Sequence, residues 1–156
     1  MVIEKISEIL SIAEKNIPKS LMPDQPISKY SNQPEWYGFE HIIWRSGDDI
    51  RLLLSENKNS QLSESQVRRI IDISINSNAK RGRQSFIMLL GRKKFQKHSN
   101  EIVSQIDDPD VAGHVVDTLL KMQAPEYIEI IEPFTNNKFA WIRNAARKYI
   151  ERYGDK

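Results

Sequence analysis

Three histidines, His41, His98 and His114, are the only imidazoles in the chain. No two have the spacing that places paired imidazoles on one metal, and no His-Glu-x-x-His occurs. Cysteine is absent. That removes thiolate ligands, disulfides and a thiol nucleophile together. Glu40 and His41 are neighbours in sequence, so on a helix their side chains diverge by about 100°. Asp48-Asp49 after Gly47 is a carboxylate pair of the kind that draws cations. A helix stop at Gly47 followed by a cap at Asp48 accounts for the same residues. Gly82 and Gly91 are isolated, so there is no phosphate-cradling loop, and no Gly-x-Ser-x-Gly elbow appears. The residues therefore name no catalytic group, metal ligand or cofactor site, and no cofactor is expected.

Charge carries more information. The 23 basic and 21 acidic residues sum to a net +2, but they are banded. From Asp72 to Glu101 there is no acid between the two, while Lys80, Arg81, Arg83, Arg92, Lys93, Lys94 and Lys97 all fall there. Arg92 to Lys97 follow a helix end, where positive charge suits the dipole; Lys80, Arg81 and Arg83 precede a helix and oppose it. From Glu101 to Glu132 acids dominate, and Arg143, Arg147, Lys148 and Arg152 then restore positive charge. Glu126, Glu129 and Glu132, at spacing three, form one exposed helix edge. Stripes of both signs suit a protein partner with alternating charge. A nucleic acid favours one continuous basic track. Lys80, Arg81, Arg83, Lys93, Lys94, Glu126, Glu129 and Glu132 are thus candidate partner contacts. Aromatics supply two more: Tyr30, Trp36, Tyr37, Phe39 and Trp44 crowd into residues 30–44. As a core plug they would close the N-terminal end; Trp36 and Tyr37 are the candidates for exposed anchors.

These side chains need elements to hold them. Val2, Ile6, Ile9, Ala13 and Ile17 line one face of a helix over 2–17. Pro18, Pro23, Pro26 and Pro34 mark an extended connection over 18–34, which Leu21, Met22, Ile27 and Tyr30 are expected to pin onto the body. Pro34 fits the first turn of a helix to about residue 45. After the stop at Gly47, a second helix carries Ile50, Leu53 and Leu54. Residues 55–62 form a polar loop. Ser63 and Gln66 form a capping box ahead of the stripe Val67, Ile70, Ile71 and Ile75, and Asn76-Ser77-Asn78 breaks it. Apolar spacings of three and four, rather than two, predict an all-α protein.

Residues 79–156 repeat. Ser85-Phe86-x-x-Leu89-Leu90, Val115-Val116-x-x-Leu119-Leu120 and Ala145-Ala146-x-x-Tyr149-Ile150 recur at one constant offset, with Ser85, Val115 and Ala145 in equivalent places. Short apolar helices are expected between them, around Ile102, Val103 and Ile106, and around Ile130, Ile131 and Phe134. Asp108-Pro109 and Asn136-Asn137 supply caps. Two helices in each repeat of roughly 30 residues predict an α-solenoid of stacked antiparallel helix pairs.

Asp108-Pro109-Asp110-Val111 and Ile142-Arg143-Asn144-Ala145-Ala146 resemble the short Asp-Pro-x-Val-Arg type of HEAT repeat. The match covers roughly residues 79–153; Ala112 and the Gly82-Arg83-Gln84-Ser85 stretch depart from the pattern. At 156 residues one domain over 1–156 is expected. Residues 1–62 would be a helical cap containing the Pro-rich connection, and 63–156 the HEAT-like repeats. The resemblance implies that the second helix of each pair, and with it the Glu126–Glu132 edge, lines the concave face. Members bind proteins or nucleic acids. Some relatives are glycosylases of alkylated DNA bases, a role in which Trp36, Trp44, Trp141 and Asp48 would be cast, but no motif ties them to it.

The reading is thus a non-enzymatic protein-binding module. A short chain of this kind, bacterial in look, resembles immunity-type inhibitors that cover a toxin's active site, the toxin being encoded by a neighbouring gene. The alternative is nucleic-acid binding through Lys80, Arg81, Arg83, Lys93 and Lys94. No apolar run reaches the ~18–20 residues that span a bilayer, and no signal peptide is read, so a cytoplasmic location without membrane association is expected.

Overall fold

The structure, a computed structural model, describes residues 1–154. Helices form all the regular structure among them: α1 (Val2–Asn16), α2 (Gly38–Glu56), α3 (Glu64–Ser74), α4 (Gln84–Leu89), α5 (Ser99–Val103), α6 (Ala112–Met122), α7 (Ile128–Ile131) and α8 (Ala140–Tyr153). Four 3₁₀ segments, Ser77–Arg83, Lys93–His98, Pro125–Tyr127 and Glu132–Asn136, join or extend them. The all-α expectation holds. No described helix is long and apolar enough to cross a membrane. The chain divides into two compact units, Met1–Phe86 and Ile87 onward.

In the first unit α1 packs on α2 and α3, and α2 packs on the Ser77–Arg83 turn. The buried face of α1 is Ile6, Ile9, Leu10 and Ala13, the i, i+3, i+4, i+7 stripe of an amphipathic helix. The capping box at α3 forms as expected. Ser63 Oγ accepts from the Gln66 amide at 3.2 Å, and Gln66 Oε1 accepts from the Ser63 amide at 3.0 Å. Gln66 does a second job: its Nε2 donates to the Ile3 carbonyl and to Ser7 Oγ, tying α3 to α1.

The expected stop at Gly47 does not occur. Helix α2 begins at Gly38 rather than Pro34 and runs unbroken through Gly47 to Glu56. Pro34 instead closes an isolated antiparallel bridge with Ile27. Gly47 is there for space. A Cβ on it would collide with the Ser85 hydroxyl and lie 2.8 Å from Ser85 Cβ. Gly82 does the same for the preceding turn, where a Cβ would stand 2.8 Å from the Glu40 carbonyl oxygen. Two glycines thus let α2 lie flush against residues 77–86. Asp48, expected as a cap, sits inside α2 and accepts from Arg51 Nε at 2.8 Å.

In the second unit α6 packs on α5 and α8, and α8 packs on α7 and the Glu132–Asn136 turn. The three recurring stretches fall on α4, α6 and α8, and Leu90, Val115, Val116, Leu119, Ala145, Ala146 and Tyr149 are buried. Asp108 and Asn137 accept the amides of Asp110 and Phe139, at 2.9 Å each, and so turn the chain ahead of α6 and α8. Tyr149 locks this unit internally: its hydroxyl donates to the Ala124 carbonyl and accepts from the Tyr127 amide.

Candidate functional site

A stretch with four prolines has few amide donors; those of Ser28, Asn32 and Glu35 serve the Gln33, Ser28 and Pro26 carbonyls around the Ile27–Pro34 bridge. Carbonyls outside that bridge are met by side chains of the first unit. The Pro18 carbonyl accepts from Asn78 Nδ2 at 3.1 Å, the Met22 carbonyl from Lys80 Nζ at 3.3 Å, and the Pro23 carbonyl from the Tyr37 hydroxyl. The Glu35 carbonyl accepts from Arg81 Nη2 at 2.9 Å and from Gln25 Nε2. Lys80 Nζ also meets Asp24 Oδ1 at 2.7 Å, and that cation holds the Asp24 carboxyl below its ordinary value. The segment is a strap fastened to the body at residues 18–24 and at Glu35, with residues 26–34 closing on themselves between those points.

Its apolar side chains face out. Leu21 is 60% exposed, Met22 36%, Ile27 58% and Tyr30 100%. The expectation that these four pin the connection is reversed: polar groups on the body hold the carbonyls, and the apolar groups are displayed.

The same contacts correct the basic cluster. Lys80, Arg81 and Arg83 are 4%, 7% and 0% exposed, so they do not form a surface stripe. They sit in the 3₁₀ turn before α4, and Lys80 holds φ 51° and ψ −133°, a conformation that ordinary residues avoid. Arg81 is enclosed by Glu40, which is itself fully buried: Glu40 Oε2 accepts the Arg81 amide at 2.9 Å and lies 3.4 Å from its Nε. Glu40 Oε1 accepts the Tyr37 amide at 2.8 Å and so caps α2. Nothing in the sequence singles out Asp24, and Glu40 and Asn78 stand out there only as a neighbour of His41 and as part of a helix break. The available signal was the acid-free window itself, whose cations need carboxylates from elsewhere once they are buried. Lys93 and Lys94 are exposed at the start of their 3₁₀ turn.

The aromatic residues divide. Tyr30 is fully exposed, whereas Trp36, Tyr37, Phe39 and Trp44 are half-buried. The Trp36 ring stacks on His41 at 5.1 Å, and the Arg81 guanidinium stands 5.1 Å from the Trp36 centroid. Trp36 and Trp44 with His41, Arg45, Asp48 and Asp49 line a cleft of about 360 Å³. On α2, His41, Trp44, Arg45 and Asp48 follow at i, i+3, i+4 and i+7, which is why one helix face carries most of the lining. Trp141 belongs to the second unit, half-exposed on α8 against His114.

Glu126, Glu129 and Glu132 are exposed, and none forms an ion pair with another described residue. Ile130, one helical turn from Glu126, is exposed beside them. No group of three potential metal ligands occurs among the described residues. Comparison with protein-family models, curated proteins and solved structures finds no match to this chain.

Proposed function

We propose that the protein is a non-enzymatic protein-binding module, and that the strap over residues 18–35 is its principal contact surface. One observation carries this: Leu21, Met22, Ile27 and Tyr30 are displayed to solvent by a segment fastened to the body at both ends and closed by its own backbone bonds between them. Exposed apolar groups carried on one short segment suit an interaction surface. Proline stiffening and the inward bonds lower the entropy lost on docking, which favours binding by a preformed shape. The exposed Glu126, Glu129 and Glu132 supply a second, acidic surface, suited to a basic protein.

In this reading the recurring helix pairs stack in the manner of a HEAT-like solenoid, and the protein works in the cytoplasm. Its partner is a bacterial toxin encoded by a neighbouring gene, which the module inhibits as an immunity protein by covering the active site. Nucleic-acid binding is disfavoured, because Lys80, Arg81 and Arg83 of its five candidate cations are buried.

Co-expression with the neighbouring gene product tests the reading. The wild-type chain is expected to co-purify with it stoichiometrically, and Leu21→Ser/Ile27→Ser/Tyr30→Ser to lose it while keeping its helical circular dichroism. No complex with the wild type, or full binding by the triple variant, would overturn the assignment.

A further inference from the structure

We propose that the Trp36–Trp44 cleft receives the guanidinium of an arginine presented by the protein partner. The inference rests on the protein-binding reading and adds the chemistry of one recognition point. Three observations support it. The cleft joins two half-buried indoles to Asp48 and Asp49, the carboxylates at adjacent positions of α2. A planar cation lies flat on an indole and offers its N–H edge to a carboxylate, a fit that arginine makes and lysine makes poorly.

The protein already shows this arrangement beside the cleft. Arg81 stands over Trp36 with its Nε facing Glu40. Trp36 precedes α2, whereas Trp44 and Asp48 lie on it at i and i+4, so that indole has a carboxylate on its own helix face. Over the Trp44 ring, however, no described cation is placed. Asp48 has one oxygen on Arg51 Nε, itself a guanidinium nitrogen. Asp49 is exposed and pairs with no described base.

The third observation is charge. Asp48 is already paired with Arg51, so Asp49, which pairs with no described base, is the carboxylate left to meet a cation at the cleft. The volume of about 360 Å³ lies at the small end of ligand clefts, roughly 300–1,000 Å³, and admits one side chain together with displaced water.

The test uses the full ¹⁵N-labelled chain and N-acetyl-arginine amide as the probe. The indole N–H resonances of Trp36 and Trp44 are expected to shift saturably in the millimolar range, with Trp141 unmoved as the internal reference. Asp49→Asn, at an exposed position, weakens the titration about two- to fivefold, the range of a solvent-exposed ion pair. Trp44→Leu abolishes it, and N-acetyl-lysine amide binds more weakly than the arginine probe.

The proposal fails if neither indole shifts, if Trp44→Leu still binds, or if adenosine monophosphate or N-acetyl-lysine amide binds as well as the arginine probe. The strap triple variant separates this inference from the functional reading. It should lose the partner and still bind the arginine probe. A wild type that binds its partner with a silent cleft overturns the arginine site alone.

Discussion

Gly47 on α2 and Ser85 on α4 lie so close that the helix at residue 47 has room for a hydrogen and nothing more. Glycine inside a helix ordinarily costs about 1 kcal/mol relative to alanine, so Gly47→Ala would stabilise an exposed helix. Here the sign reverses, because the added methyl meets the Ser85 side chain. Overpacking of this kind costs about 1–3 kcal/mol. Urea unfolding should show Gly47→Ala less stable than wild type. Gly38→Ala, where nothing stands within 4 Å of the new Cβ, should be neutral or slightly stabilising.

The strap depends on a buried ammonium. Asp24→Asn leaves Lys80 Nζ with the Met22 carbonyl and a neutral amide in place of a carboxylate. Protease cleavage within residues 18–35 should accelerate several-fold, with the rest of the first unit retained. The pH dependence has the same origin. Lys80 lowers the folded carboxyl of Asp24 below its unfolded value of 3.8. Stability from this pair is complete above that value and is lost as pH falls through the lower, folded value. Asp24→Asn should remove that acid-dependent loosening of the strap.

His114 gives a second acid response. Burial on α6 lowers it to about 4 from 6.5, against the opposing pull of Asp117; Lys121 adds to the lowering. Between those values the unfolded chain binds the proton and the folded chain does not, so stability rises with pH across the window. From pH 6.5 down to 4 the protein should lose up to about 3 kcal/mol from this group, at about 1.36 kcal/mol per pH unit. His114→Phe keeps an aromatic edge against Trp141 and should flatten the slope in urea titrations at successive pH values.

Tyr149 responds at the alkaline end. Burial raises its phenol to about 12 from 10. Folding stability is therefore full below pH 10 and declines as pH rises toward 12. Tyr149→Phe leaves the Ala124 carbonyl and the Tyr127 amide without the hydroxyl they share. A loss of about 1–3 kcal/mol in urea unfolding is expected, the cost of stranding buried polar groups. The alkaline decline should shrink in the same variant.

Local signals were readable wherever they act locally. The α1 stripe, the Ser63–Gln66 box, the proline-marked connection and the recurrence of apolar positions from Ser85 to Ile150 depend on neighbours within a turn or two. All four appear as helices, caps and an extended segment. Gly47 misled because a glycine reads as a stop unless the opposing side chain is known. The basic cluster misled for a related reason. Lys80, Arg81 and Arg83 look like a surface stripe until Asp24 and Glu40, from a much earlier part of the chain, are brought against the first two.

By itself, then, the sequence determined an all-helical chain, the bounds of α1 and α3 to within a residue or two, and which segment cannot be helix. Periodicity, caps and proline geometry act over a few residues, so the local order of residue types is enough to specify them. Only the tertiary structure decided which groups face water. Burial and ion pairing are set by residues distant in sequence, and so three of the candidate cations became internal. The four apolar side chains of the strap became the exposed surface, and Trp36, Trp44, Asp48 and Asp49 came to line one cleft.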